Sequence, residues 1–277
     1  MLILEKSVRN FYPERLSHNL PLVVGEQRNP TIIQIGDVKI GHGFKTVIAG
    51  PCTLESLEHT LSLGRRLKRS GISIFRGSVF KNRTSPYSFQ GHGFEALSWH
   101  KEVKKQFNLL IETEITDAKQ IETVADCVDI IRVGARNMHN SVLLQELGKI
   151  KKPIILKRSF GATIEEWLSA AEYLMYHGNE EIILCERGIR TFEPSTRFSL
   201  DFCGLARVLE ITHLPVIIDP SHAAGSSSLV LPLAKAALAL GVHGLLIEVH
   251  DKPEAALCDG FQAITPDVLD LVISEIN

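Results

Sequence analysis

The sequence lacks a marked excess of charge of either sign. Its 277 residues include 30 Lys and Arg against 32 Asp and Glu, which gives a formal net charge of −2. A protein that is drawn to nucleic acid or to an anionic membrane surface by its overall charge needs a clear positive excess. We therefore expect no nucleic-acid partner and no membrane partner, and any basic cluster has to be local.

Long hydrophobic runs and paired cysteines are also missing. The opening residues, MLILEKSVRNFYPERL, contain acidic side chains and no sustained apolar stretch, so neither a signal peptide nor a transmembrane helix is predicted. The five cysteines are scattered without a Cys-x-x-Cys pair, which argues against a disulfide framework. We expect a cytoplasmic protein in which most cysteines are small buried residues.

What the sequence does contain is a recurring short apolar run. Eight such runs occur from residue 46 onward, at 46–52, 72–78, 109–115, 128–134, 153–159, 181–187, 215–221 and 244–250. They are continuously apolar and do not alternate with polar residues, which is typical of parallel strands buried on both faces. Amphipathic segments separate them; TIEEWLSAAEYLMYHG (163–178), for example, begins with a capping box from Thr163 to Glu166.

Eight strand-then-helix units predict an α/β fold of the (β/α)8 TIM barrel class, here over residues 46–277. A doubly wound open sheet is the alternative that this pattern leaves open. Residues 1–45 would form an N-terminal extension. Within it, TIIQIGDVKIGHGF predicts a small hairpin that covers the N-terminal mouth of the barrel.

Chemistry in such a barrel belongs at the C-terminal ends of the strands. The residue at or just beyond the end of every run is polar or ionisable. These residues are Cys52, Arg76, Glu114, Arg136, Lys157, Arg187, His222 and Glu248. One alone could be polar because it reaches solvent, but eight in succession indicate a functional rim.

Five cations are expected to converge on this rim, namely Arg76, Lys81, Arg136, Lys157 and Arg187. Because like charges repel, such a cluster implies that an anion lies among them. Arginine offers a fork that matches phosphate or carboxylate oxygens, and lysine offers a point charge. We infer a small, highly charged substrate; surface salt bridges are the alternative.

A second group combines one thiol, one imidazole and two carboxylates: Cys52, His222, Glu248 and Asp259. This mixture suits one first-row divalent ion, Mn, Fe, Co or Zn, better than Mg or Ca. The spacing contains no local metal motif, so the prediction depends on the fold. Two other interpretations stay open: Cys52 as a nucleophile with His222 as its base, and Cys52 as a buried structural thiol.

Several motifs, in order, resemble a known family. They are AGPC (49–52), FRGSVFKNRTSPYSFQG (75–91), GARN (134–137), ILKR (155–158), ILCERGIRTFE (183–193), IIDPSHAAG (217–225), and EVH with CDG (248–250 and 258–260). Over about residues 37–270 the chain resembles 3-deoxy-D-arabino-heptulosonate 7-phosphate synthase. The likeness is to the compact subtype related to 3-deoxy-D-manno-octulosonate 8-phosphate synthase.

The resemblance implies a TIM-barrel enzyme that condenses phosphoenolpyruvate with erythrose 4-phosphate and releases phosphate, at the entry to the shikimate pathway. It implies a divalent metal ion on the four residues of the second group, phosphoenolpyruvate on the five cations, and the aldose phosphate on Arg83, Thr84 and Ser85. Glu114 would hold a water near the reacting carbons. Lys81, or a water on the metal, is the candidate proton donor, and relatives suggest a homotetramer. The catalytic set that the resemblance implies is Lys81, Cys52, His222 and Glu114.

One position departs from the family's pattern. The aldose loop usually reads Lys-Pro-Arg-Thr, whereas Asn82 stands in the place of the proline. The octulosonate synthase loop contains an asparagine, Lys-Ala-Asn-Arg-Ser, so arabinose 5-phosphate remains an alternative acceptor. Because Lys81 and Arg83 keep the heptulosonate spacing, erythrose 4-phosphate is favoured.

Two further expectations concern regulation and function class. Many relatives carry a ferredoxin-like or chorismate mutase domain; we expect neither here, because the barrel begins near residue 46, and hence little or no inhibition by phenylalanine and tyrosine. A catalytically silent barrel that senses sugar phosphates is the alternative from another function class. It would require a missing ligand or cation, and none of the expected positions is missing.

Overall fold

The computed structural model describes residue 16 and residues 18–24 and 29–276. Two short strands, β1 (Ile32–Ile35) and β2 (Val38–Gly41), pair antiparallel across a turn at Gly36 and Asp37, as the sequence predicted. Gly36 has a φ of 57°, which glycine adopts without steric cost. Much of the predicted extension over residues 1–45 lies outside the described residues.

Eight parallel strands close into a barrel. They are β3 (Thr46–Gly50), β4 (Ile74–Arg76), β5 (Leu110–Ile115), β6 (Ile130–Val133), β7 (Ile154–Lys157), β8 (Ile182–Glu186), β9 (Val216–Ile218) and β10 (Gly244–Glu248). Each pairs with its neighbours in chain order, and β10 closes against β3 with Glu248 opposite Gly50. The (β/α)8 prediction is confirmed with all eight runs as strands, and the open-sheet alternative is wrong.

Helices follow the strands and cover the outside of the barrel. They are α1 (Leu57–Arg69), α2 (Leu97–Phe107), α3 (Ile121–Ala125), α4 (Ser141–Gly148), α5 (Ile164–Tyr176), α6 (Phe202–Ile211), α7 (Pro220–Ala224), α8 (Ser227–Leu240) and α9 (Pro266–Ser274). Short 3₁₀ turns span Gly93–Ala96, Ala118–Gln120, Ala135–Asn137, Pro253–Ala255 and Gly260–Gln262. The predicted capping box starts α5, where the Thr163 hydroxyl accepts from the Glu166 N–H. No helix in the described part of the chain has the length and apolar character to cross a bilayer.

Branched apolar side chains fill the barrel interior. Ile33, Ile35 and Ile40 of the hairpin belong to the same buried cluster as inward-facing strand residues such as Ile48 and Ile155. Each such side chain contributes roughly 1.5–3 kcal/mol of burial free energy. Apolar side chains therefore fill the part of the barrel interior that adjoins the hairpin.

Candidate active site

A pocket with a local excess of positive charge opens at the C-terminal rim. Six cations line it against two carboxylates: Lys81, Arg83, Arg136, Lys157, Arg187 and Arg197 against Glu114 and Asp259. Hydroxyl and amide groups from Asn82, Thr84, Ser85 and Ser88 complete the same wall. A concave site with this balance favours an anionic occupant of several charges.

The four side chains predicted as metal ligands lie together, and two of them, His222 and Asp259, line this pocket. Cys52 follows β3, His222 lies in α7, Glu248 ends β10 and Asp259 follows in the next loop. One ligand atom from each residue lies within 4.8 Å of the ligand atoms of the other three. The group can therefore hold one metal ion.

A buried carboxylate fixes the orientation of His222. His222 Nδ1 lies 2.7 Å from Asp219 Oδ2, and Asp219 Oδ1 accepts from the His222 backbone N–H at 2.9 Å. Burial lowers the pKa of His222 to about 3, so the ring is neutral at pH 7 despite its carboxylate neighbours. With Nδ1–H donating to Asp219, the lone pair of Nε2 points into the site, as in many metal-binding histidines.

The electrostatics of this arrangement call for a cation. His222 Nε2 lies 3.2 Å from Glu248 Oε1, and this oxygen is buried without a hydrogen-bond partner among the described residues. Two lone pairs therefore face each other, although Arg76 Nη2 lies 3.4 Å from the same oxygen. A divalent ion between them removes that conflict, so the residues present fit a metal.

The thiol ligand, Cys52, lies between a lysine and a second thiol. Lys81 Nζ donates to Cys52 Sγ at 2.8 Å, and Cys258 Sγ lies 3.0 Å from the same sulfur. Burial, with contributions from Cys258 and Glu248, raises the pKa of the Cys52 thiol. A coordinated metal ion would deprotonate it. All five cysteines are free thiols, and Cys203 is the exposed one.

A left-handed residue aims the fourth ligand. Asp259 has a φ of 53°, and the other described non-glycine residue with positive φ is Asn108, which ends α2. Aspartate tolerates this conformation at low cost, and such residues cluster at functional sites. Lys81 lies 3.4 Å from the Asp259 carboxylate.

The predicted phosphoenolpyruvate cations occupy two levels. Lys81, Arg136, Lys157 and Arg187 line the pocket. Arg76 instead lies fully buried beneath it, 3.4 Å from Glu248 Oε1, so its part in substrate binding stays a prediction.

Arg187 is a cation with an unpaired donor, whereas Lys157 is paired with a buried carboxylate. Burial lowers the pKa of Arg187 to about 10, and its Nη1 has no hydrogen-bond partner among the described residues. Lys157 is in short contact with Asp219. Burial alone would raise the pKa of Asp219, but His222 and Lys157 hold it well below its usual range. An anion on Arg187 would satisfy a group that the protein leaves unpaired.

The loop predicted to bind the aldose phosphate is tied to the metal cluster. Arg83 Nη1 donates to Cys258 Sγ at 2.6 Å, and Arg136 Nη2 donates to the Thr84 hydroxyl at 3.1 Å. Thr84 and Ser85 are exposed at the pocket mouth. The loop thus bridges the ligand-bearing segment and the opposite wall.

Glu114 is positioned by a glycine and a buried arginine. A Cβ on Gly134 would come within 2.1 Å of Glu114 Oε1, so a larger residue there would displace the Glu114 carboxylate. Arg132 lies 3.6 Å from Glu114 Oε2 and pairs with Glu112 at 3.1 Å. Burial would raise the pKa of Glu114, but Arg132, Lys81 and Lys157 outweigh it and keep the carboxylate ionised.

The sequence reasoning missed two residues of this site, Arg197 and Gln262. Arg197 lines the pocket from the loop after β8, and Gln262 is fully buried against Glu248. Neither lies at a strand end. Asp219 follows β9 and makes its contact with the ring of His222.

A second group of potential ligands, Glu55, His59 and His250, lies nearby. The Lys252 N–H donates to His250 Nδ1 at 3.0 Å, so Nε2 carries the proton and faces Glu55 Oε2 at 3.4 Å. His59 Nε2 is paired with Asp251 at 2.8 Å. These contacts make the group a hydrogen-bonded support, and Glu55 uses its other oxygen to hold the Leu257 N–H of the Asp259 loop.

Comparison with known proteins decides the family. The sequence profile of the DAHP synthetase I family matches residues 22–275. The chain belongs to the DAHP synthetase I family. Phospho-2-dehydro-3-deoxyheptonate aldolase of Thermotoga maritima is 45% identical to it over 247 residues, which are 89% of this chain and 73% of that protein. The predicted resemblance is confirmed.

Structures and more distant relatives agree with this membership. The crystal structure of the Thermotoga maritima enzyme superposes on this DAHP synthetase family chain with a TM-score of 0.89 at 44% identity, covering 92% of this chain and 75% of that one. A truncated form of 3-deoxy-D-arabino-heptulosonate 7-phosphate synthase from the same organism gives 0.87 at 40% identity, covering 93% and 95%. A 2-dehydro-3-deoxyphosphooctonate aldolase of Syntrophotalea carbinolica is 33% identical, over 89% of this chain and 95% of that protein.

Proposed function

We propose that this protein condenses phosphoenolpyruvate with erythrose 4-phosphate to give 3-deoxy-D-arabino-heptulosonate 7-phosphate and phosphate, the first step of the shikimate pathway. The observation that carries the proposal is one rim on which a cationic pocket adjoins a four-ligand cluster. The two substrates carry roughly five negative charges together near neutral pH. Six cations against two carboxylates offset the repulsion between them and hold them at reacting distance.

The carbon chemistry follows from this positioning. The enol carbon of phosphoenolpyruvate attacks the aldehyde carbon, water adds to the cationic carbon that results, and phosphate leaves. Arg187, Lys157 and Arg136 would hold phosphoenolpyruvate, and Arg83, Thr84 and Ser85 the aldose phosphate. Glu114 would hold the attacking water. Lys81, whose pKa is raised because the surrounding negative groups outweigh its burial, would donate the proton to the new alkoxide.

A divalent ion would be held by Cys52, His222, Glu248 and Asp259. When bound, it would supply Lewis-acid polarisation of the aldehyde. The soft thiolate with one imidazole favours Mn, Fe, Co or Zn. We further propose that the enzyme acts in the cytoplasm as a homotetramer.

Phosphate release from phosphoenolpyruvate, measured with each aldose phosphate before and after chelation, tests the proposal. We expect release with erythrose 4-phosphate, loss of it after chelation, and recovery when one of the four metals is returned. Preferential use of arabinose 5-phosphate would instead identify an octulosonate synthase. Release that survives complete metal removal would overturn the ligand assignment.

A further inference from the structure

Glu248 is oriented by a chain of two residues that reaches the pocket wall. Gln262 is fully buried, and its Nε2 donates to Glu248 Oε2 at 2.6 Å. Its Oε1 accepts from Arg197 Nη1 at 2.7 Å. Arg197 in turn lines the anion pocket, with 29% of its side chain exposed.

Donor and acceptor chemistry fixes the direction of this chain. A guanidinium only donates and an ionised carboxylate only accepts, so the Gln262 amide has a single favourable orientation between them. The hydrogen bond occupies Oε2 of Glu248. It leaves Oε1 turned toward His222 Nε2, without a hydrogen bond of its own among the described residues.

Arg197 also contacts the segments that contain the metal ligands His222 and Asp259. Its backbone N–H donates to the carbonyl of Ala224 at the end of α7, the helix that contains His222. A Cβ on Gly225 would come within 2.5 Å of the Arg197 Cβ, so the close approach depends on glycine there. Arg197 Nη1 lies 3.8 Å from Asp259 Oδ1.

We propose that Arg197 and Gln262 are positioning residues that hold Glu248 with one oxygen aimed at the metal, and that Arg197 acts on the metal through Gln262. The inference rests on the metal site of the proposed function. Partners of metal ligands commonly change metal affinity by about 10–100-fold when they are replaced. Because the two residues form one chain, their effects should not multiply.

The test compares the dissociation constants of the variants for cobalt. The metal-depleted protein is titrated with Co²⁺, and binding is monitored by the absorption band of the thiolate-to-cobalt bond. Gln262→Met keeps the side-chain length and removes both hydrogen bonds, and we expect it to weaken binding about 10–100-fold. Arg197→Met should weaken it in the same direction, and Arg197→Lys should restore part of the loss. The double variant should bind no more weakly than Gln262→Met alone.

Arg190→Met is the matched control, because Arg190 is an exposed cation of the same loop that stacks on Phe160 at 4.8 Å and does not line the pocket. Its cobalt affinity should equal that of the wild type.

Thermal unfolding of the metal-free variants separates positioning from folding. Because the Arg197 side chain is 29% exposed, the Arg197 variants keep the test valid if Gln262→Met does not fold. Affinities within twofold of wild type, or effects that multiply in the double variant, would overturn the inference. Absence of the thiolate band in the wild type would instead refute the metal site itself.

Discussion

Asp219→Asn removes the one negative charge shared by His222 and Lys157. Asp219 is fully buried, and its partners His222 and Lys157 are nearly so. Its Oδ2 lies 2.7 Å from His222 Nδ1. An asparagine of the same shape presents a carbonyl oxygen and an NH₂ group. If the NH₂ faces Lys157, two donors meet; if it faces His222, the imidazole must protonate Nε2 and turn an N–H toward the metal position.

The expected loss has two parts. Removing one partner of a buried ion pair typically costs about 3–5 kcal/mol of unfolding free energy, because the remaining charge stays buried. Loss of the carboxylate behind a ligand histidine should weaken metal binding by about 10–100-fold. Since the pKa of Asp219 is held below its usual range, its contribution is complete above about pH 4 and is lost as pH falls further toward the lowered value.

Urea denaturation of the metal-free protein at pH 7, together with cobalt titration, measures both parts. Asp270→Asn is the control, because Asp270 forms an exposed pair with Arg66 at 2.6 Å and should change stability by less than about 1 kcal/mol. The gap between wild type and Asp219→Asn should shrink in unfolding curves recorded below pH 4. An Asp219→Asn variant as stable as the control, with wild-type cobalt affinity, would refute the reasoning.

Three further outcomes are expected. Burial lowers the pKa of His100 to about 3. As the pH falls from 6 to 4, the wild type should therefore lose about 1.4 kcal/mol of unfolding free energy per pH unit relative to His100→Leu, measured by urea denaturation. Parallel pH profiles of the two proteins would contradict this. Gly134→Ala forces the Glu114 carboxylate aside, so it should lower kcat at least tenfold without changing the cobalt affinity. Gly161→Ala is its control, because the new Cβ meets open space, and it should leave kcat and cobalt affinity unchanged. Arg187→Met should raise the KM for phosphoenolpyruvate more than tenfold in initial-rate assays, because a charge-assisted hydrogen bond is worth about 1.5–3 kcal/mol; an unchanged KM would exclude Arg187 from the anion site.

The barrel was predictable because its strands are buried on both faces. Runs such as PIILKRS and EIILCER leave no alternating pattern that would fit an exposed sheet, and all eight became strands. The hairpin was predictable because Gly36 and Asp37 punctuate two apolar stretches. Strand ends then brought Cys52, His222 and Glu248 together, since a closed barrel places all C-terminal ends on one rim.

The rest depends on contacts between distant segments. Arg197 lies in the long loop after β8, and only the packing of that loop against Ala223 and Ala224 directs it to the pocket. Gln262 sits in a 3₁₀ turn that resembles any polar loop residue in sequence. Arg76 ends a strand as predicted, but its burial under Glu248 reflects the inward face of β4, which a continuously apolar run does not reveal.

Anomalous X-ray diffraction from crystals of the zinc-loaded protein tests the central claim most directly. The account predicts one peak about 2.3 Å from Cys52 Sγ and about 2.0–2.2 Å from His222 Nε2, Glu248 Oε1 and an Asp259 oxygen. A zinc peak bound instead by Glu55, His59 and His250, with none at the four-ligand cluster, would contradict it.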